Sequence, residues 1–426
     1  MSRAFLICPE PVRAATAGVG TRFLTLAAVL AESGHEITLA LPNDPAEAAA
    51  PTEGVRLVQA DPERLGVQAE GHEWVLLHAH LGNHYLSQRD DLPVVVDLYD
   101  PFLIENLHYH RELGLEPFAT DHATWRLQMS RGDLFLCSSP EQRLFYLGWL
   151  SALGRVHPLA LEDDPILARL IVELPFGTPE GAPPPARPRA EVIEGVAADA
   201  PLLYFGGIYD WFDPETVLDA VPALLDRDPR TTVVFVEHPH PETTPLGAAA
   251  RTRRLAEQRG WLGTTVRFEP WRPFECRFEL PQVCDLAVVT HLPGLETDLS
   301  LRTRLVDLMW LGLPMVVSDG GTMARVVGEE GAGAVVPPGD AVAVADAVGG
   351  LLENEARRTR AGEAARAWAA GRTWKRVAAP LLEFAENPRR DPHRGRFSEI
   401  APGAVTAEEP LLRRFRRRLR RLGGGR

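Results

Sequence analysis

Residues 285–327 read DLAVVTHLPGLETDLSLRTRLVDLMWLGLPMVVSDGGTMARVV. The apolar, β-branched run between Asp285 and Thr290 predicts a buried strand. A polar loop carrying Glu296 and Asp298 follows it. Apolar Leu301, Leu305, Leu308 and Met309 then recur at helical spacing, and Gly312 and Pro314 end that helix. A second strand starts at Pro314 and runs into Asp319-Gly320-Gly321-Thr322, a turn that opens a further helix. Two helix N-termini therefore stand beside the C-terminal ends of two strands, one lined with acids and arginines, the other with glycines. In an open α/β sheet this is where an anionic ligand binds, because unpaired backbone N–H groups and the helix dipole both favour negative charge.

Upstream of this stretch the chain runs through one pattern twice. In the first half, strands are predicted at 4–8, 36–41, 55–59, 74–78, 94–98, 134–138 and 171–174, with a helix at 22–33 opened by Gly18-Val19-Gly20-Thr21-Arg22. Residues 178–190 are rich in Pro, Ala and Gly without apolar periodicity and read as a linker. The alternation then restarts with the strand LLYFGG, which ends in the glycine turn Gly206-Gly207. A helix from about Pro214 to Leu225 and strands at 232–237 and 265–268 follow. This predicts two Rossmann-like, doubly wound parallel sheets facing a cleft. The expected division is 1–178, a linker at 179–199, a second domain at 200–365, a terminal helix at 366–386 and a flexible segment from 387 onward.

Composition excludes several chemistries. Lysine occurs once, at Lys375, against 44 arginines. There is no Gly-Lys-Ser/Thr phosphate loop, and a pyridoxal phosphate enzyme would have only that residue for its Schiff base. No apolar run reaches the roughly 20 residues that span a bilayer, and no secretory signal precedes the first strand. Cys8, Cys137, Cys276 and Cys284 are scattered without metal or redox spacing, as expected of reduced cytoplasmic thiols. The formal charge is −13, yet residues 410–426 hold eight arginines and no acid. The remaining 37 basic and 58 acidic residues leave the body at −21, a balance that does not point to nucleic acid as the main partner, and no specific nucleic acid is expected. Apolar positions 411, 412, 415, 419 and 422 of the tail share helical spacing, so the tail predicts a basic amphipathic helix on an anionic membrane surface.

The segment 285–327 resembles the donor-sugar site of the family-4 glycosyltransferases, retaining enzymes of the GT-B fold. Asp307, followed by LMWLGLPMVV, stands where the family has the acid that holds the ribose hydroxyls. The family's other acid lies eight residues earlier, at Leu299 here, so Glu296 or Asp298 is the neighbouring candidate and Glu296 is favoured. The resemblance implies a metal-independent transferase with no cofactor beyond a nucleoside-diphosphate sugar, UDP foremost. It also implies a carbohydrate or lipid-linked acceptor and a last helix that crosses back to the first domain. In that reading the protein acts in the cytoplasm at the inner face of the membrane, in surface polysaccharide or glycolipid assembly.

The candidate donor contacts are Gly18, Gly20, Gly206, Gly207, Trp271, Arg302, Arg304, Asp307, Gly320, Gly321 and Thr322. The family often draws an Arg and a Lys from the region 206–213, which here has neither, so Arg304 with Arg302 is expected to carry the positive charge for the diphosphate. The two arginines share a direction only if the helix begins after Arg302. His80 and Asp100, which follow two strands of the first domain, are the expected acceptor-orienting pair, chosen over His78, His84, Asp97, His108 and His110. No metal is expected at His78-x-His80, which lacks a third ligand at matching spacing. Three other readings use the same fold: a nucleotide-sugar epimerase, a pseudo-glycosyltransferase and a non-catalytic partner subunit.

Overall fold

A computed structural model of the chain describes residues 1–48, 53–238 and 245–397. The first sheet has seven parallel strands: β1 Arg3–Ile7, β2 Glu36–Leu41, β3 Val55–Gln59, β4 Trp74–Leu77, β5 Val94–Asp97, β6 Leu134–Cys137 and β7 Ile171–Glu173. Their order is β3-β2-β1-β4-β5-β6-β7. The second sheet has six: β8 Leu202–Gly207, β9 Thr232–Val236, β10 Val266–Glu269, β11 Leu286–Val289, β12 Met315–Ser318 and β13 Gly333–Val336, ordered β10-β9-β8-β11-β12-β13. Strand order reverses between β1 and β4 and between β8 and β11, so each sheet has one switch point where a crevice opens at the strand ends.

The central strands are near-continuous apolar runs because helices cover both faces, whereas the edge strands β3 and β10 carry Arg56, Gln59, Arg267 and Glu269. Along β1, Ala4 and Leu6 pack in one layer with Phe23 and Leu26, while Phe5 and Ile7 pack in the other with Tyr85 and Trp125. Helix Gly18–Glu32 buries Phe23, Leu26, Ala27 and Leu30, one face at i, i+3, i+4 and i+7. Burying Phe23, Leu26 or Leu30 is worth about 1.5–3 kcal/mol each, and the Ala27 methyl about 0.8 kcal/mol.

Three expectations change. The stretch around Glu296 is a short helix, Leu295–Leu299, instead of a loop. The second half of the expected linker packs into the second domain: Val192 and Ile193 are buried, and Arg189 pairs with Asp285. Residues 389–397 are ordered against the first domain. Arg155 donates to Asp391 at 2.7 Å, Arg394 to Asp133 at 3.0 Å, and Phe397 lies on His157. The basic tail at 410–426 lies outside the described residues.

The terminal helices lie on the first domain. Phe384 meets Trp74 edge-on, Trp374 meets Phe176, and a bridge joins Thr178 to Thr373. No helix among the described residues is long and apolar enough to cross a membrane.

Candidate active site

Two adjoining cavities lie in the cleft between the sheets. The larger, about 590 Å3, is lined by Glu10, His78, Asp100 and Glu105 from the first domain and by Trp211 and Arg302 from the second. The smaller, about 190 Å3, is lined by Trp271, Arg277, Phe278, Tyr204 and Asp307. Gly18, Thr303 and Arg304 border both.

The junction is built by the start of helix Thr303–Leu311. The helix does begin after Arg302, which is its N-cap residue. Both arginines therefore face the cleft, and both lie over the Phe212 ring, at 5.3 Å and 4.6 Å from its centroid. Arg304 donates to the carbonyls of Phe205 and Gly207 at 2.7 Å and 2.6 Å. Gly206 sits at φ +89°, and a Cβ there would stand 2.8 Å from the Arg304 Nε. The glycine turn at the end of β8 thus makes room for this guanidinium. Burial, with Arg302 nearby, lowers the Arg304 pKa.

Glu296 is 2% exposed and receives both Nη groups of Arg302, each at 2.5 Å. It lines neither cavity, so it orients Arg302 instead of facing the cleft itself. Asp307 does reach the smaller cavity. Its carboxylate accepts no hydrogen bond among the described residues, and burial raises its pKa to about 7, with Arg277 acting in the opposite sense.

Two expected anion sites already hold carboxylates of the chain. The Gly20 N–H donates to Glu10 at 2.5 Å, and a Cβ on Gly20 would meet Thr16 at 2.6 Å, so this glycine serves packing. Gly320, Gly321 and Thr322 lie outside both cavities. A Cβ on Gly321 would stand 2.3 Å from the Thr297 carbonyl oxygen. The Thr322 hydroxyl donates to Glu141 of the first domain at 2.8 Å, and Arg325 pairs with the same carboxylate at 2.6 Å. Burial opposes the Glu141 charge, but its hydrogen bonds and Arg325 outweigh that and lower its pKa.

On the first-domain wall, His80 has both ring nitrogens engaged, Nε2 with Asp121 at 2.8 Å and Nδ1 with Thr124 at 3.0 Å. His78 is the better-placed histidine. Its Nδ1 contacts the Asp97 carbonyl at 2.7 Å, and Nε2 points at Asp100, 3.7 Å away. Burial disfavours its charge, yet Asp100 and Asp97 outweigh burial and raise its pKa. Behind this pair, the buried Arg22 binds Asp97 through two bonds of 2.6 Å and 3.0 Å and anchors the end of β5. Sequence reading missed Glu105. It accepts from Ser300 of the second domain at 3.2 Å, and burial beside Asp100 and Glu296 raises its pKa well above the usual range.

Residues 200–354 match the family model described as glycosyl transferases group 1. Among curated proteins the chain is 28% identical to a D-inositol 3-phosphate glycosyltransferase of Nocardia farcinica over 55% of this chain and 50% of that one. It is 30% identical to the same-named protein of Corynebacterium diphtheriae over 42% of this chain and 40% of the relative. The chain thus spans about half the length, or less, of these curated relatives. Sucrose-phosphate synthase from Thermosynechococcus elongatus superposes over 91% of this chain and 98% of its own, with TM-score 0.65 and 17% identity. Anabaena HepE in complex with UDP-glucose covers 91% and 99%, with TM-score 0.63 and 16% identity. The described residues have the two-domain GT-B fold, and residues 200–354 within its second domain match the model of the group 1 glycosyl transferases.

Proposed function

We propose that the protein is a retaining, metal-independent glycosyltransferase that moves a sugar from a nucleoside-diphosphate sugar to an acceptor hydroxyl. The observation that carries this reading is the pairing of the two cavities across Arg302 and Arg304. The smaller takes the nucleoside, with its ribose hydroxyls on the otherwise unpartnered Asp307 carboxylate. The two arginines stand where the diphosphate would pass into the larger cavity, which takes sugar and acceptor.

In this reading the acceptor oxygen attacks the anomeric carbon from the face the diphosphate leaves. The bond from that carbon to the β-phosphate oxygen breaks, and the acceptor proton passes to the departing phosphate. Arg302 and Arg304 stabilise the charge that builds there; each charge-assisted bond is worth about 1.5–3 kcal/mol. His78 and Asp100 orient the acceptor hydroxyl, a role first expected of His80. Glu296 acts through Arg302.

A polyhydroxylated acceptor suits the acids and histidines of the larger cavity, and the named activity of the curated relatives supports the same class. A lipid carrier for that acceptor, in surface polysaccharide or glycolipid assembly, is supported by the basic tail.

The test is thermal shift of the purified protein with UDP, GDP, ADP, CDP and dTDP, without metal, followed by release of nucleoside diphosphate from the corresponding sugar donors. A ligand that prefers the native state raises its stability. A folded protein that responds to none of them would refute the reading.

A further inference from the structure

We propose that Arg277 reads the nucleobase of the donor and selects a base with a carbonyl at the ring position where adenine and cytosine carry an amino group, so uracil, thymine or guanine, over adenine and cytosine. The inference rests on the nucleoside reading of the smaller cavity and deepens it.

Three arginines line that cavity, and they differ in what their N–H groups already do. Arg304 is committed to two backbone carbonyls. Arg272 donates to the Val192 carbonyl and to Glu279. Arg277 gives only Nη1, to the Phe274 carbonyl at 2.6 Å. The rest of its planar fork has no acceptor among the described residues. The fork is also held in place, because its carbon lies 3.8 Å from the Phe274 ring centroid and 4.1 Å from that of Phe278. Stacking on two rings fixes a guanidinium without using its donors. Burial lowers its pKa, with Asp307 acting in the opposite sense.

The opposite polarity stands on the same cavity. The Asp307 carboxylate offers acceptors, and the Trp271 ring lines the same cavity. A nucleoside has matching parts: ribose hydroxyls that donate, a ring that stacks, and base edges that donate or accept. An arginine has donors and no acceptor. On the edge that carries the 4- or 6-substituent it therefore pairs with the O4 of uracil or thymine, or with O6 and N7 of guanine, and meets the 6-amino group of adenine or the 4-amino group of cytosine donor to donor. The contact to guanine is bidentate and that to uracil or thymine is one charge-assisted bond; either discriminates about tenfold.

The experiment is calorimetric titration of the full chain with UDP, GDP, CDP and ADP, repeated for Arg277→Met and Arg277→Lys. The methionine keeps the apolar stem on the two rings, and the lysine keeps the charge without the fork. Wild type is expected to bind UDP or GDP about tenfold tighter than ADP and CDP. Both variants should bring that ratio below about threefold by weakening the preferred ligand while leaving ADP unchanged. The ratio is read within one protein sample, so partial loss of folded material does not alter it. Tightest binding of ADP or CDP, or a preference that survives in both variants, would overturn the assignment and leave the transferase reading standing. Absence of binding by all four to a folded protein would overturn both.

Discussion

Asp307→Asn should make the unliganded protein more stable and the liganded one weaker. The Asp307 carboxyl has its pKa raised from 3.8 to about 7 because burial penalises its charge. Below about pH 4 both folded and unfolded chains hold the proton, so the raised pKa has no effect. Between about 4 and 7 the folded chain keeps a proton that the unfolded chain releases, and stability falls as pH rises. Above about 7 the loss is complete. A shift of about three units at about 1.4 kcal/mol each bounds it near 4 kcal/mol. Local relaxation and water entry should reduce the observed effect to about 1–3 kcal/mol. Asparagine has the same shape and no charge, so it removes the penalty. Thermal denaturation at pH 5 and pH 8, without ligand, should show the variant melting a few degrees above wild type at pH 8, with a smaller gap at pH 5. The same variant should bind UDP about 10- to 100-fold more weakly, having lost a charged acceptor for the ribose hydroxyls. A variant less stable than wild type at pH 8, or a gap equal at both pH values, would refute the reasoning.

Other outcomes follow from the same geometry. Arg304→Met should lower turnover at least 100-fold, since it removes diphosphate charge and leaves the carbonyls of Phe205 and Gly207 without their donor; steady-state kinetics on a donor sugar checks this. His78→Ala should reduce kcat far more than His80→Ala, because the His80 nitrogens are both engaged with Asp121 and Thr124; equal losses would count against the pair with Asp100. Glu141→Ala breaks a half-exposed pair and should shift Tm by less than about 2 °C, the scale of a surface salt bridge. Ending the chain after residue 397 should abolish sedimentation with anionic vesicles, and ending it after residue 386 should lower Tm further than that by removing the Asp391 and Arg394 contacts.

The order of elements in 285–327 was legible because Gly312 and Pro314 end a helix by local chemistry and β-branched runs mark buried strands. The shared orientation of Arg302 and Arg304 depended on one local fact, the helix start, which the sequence framed as a condition. What could not be read locally was which candidate already had a partner. His80 is engaged by Asp121 and Thr124, more than forty residues away. Glu296 looked like a sugar ligand until the turn of helix Leu295–Leu299 brought Arg302 onto it. Both glycine-rich helix starts looked open to an anion, and both hold a carboxylate from elsewhere, Glu10 in one case and Glu141 in the other. Residues 389–397 read as flexible because they are polar, yet Asp133 and Arg155, far upstream, give their charges fixed partners. Composition reports the absence of an apolar face; it does not report ion pairs made across 250 residues.

The bridge between Thr178 and Thr373 has a topological consequence. The chain leaves the first domain and returns to it at neighbouring points, with the Thr178 N–H on the Arg372 carbonyl at 2.9 Å and the Trp374 N–H on the Thr178 carbonyl at 3.0 Å. The second domain is therefore an insertion within the first, whose own fold resumes with the helices that carry Trp374 and Phe384. Force applied to Met1 and Phe397 would load the first sheet and bypass the second. Joining 178 directly to 373 would excise the second domain while leaving both ends of the first in place. Both chain crossings between the domains pass this bridge, so a rigid crosslink there would tie the two crossings together without touching either cavity.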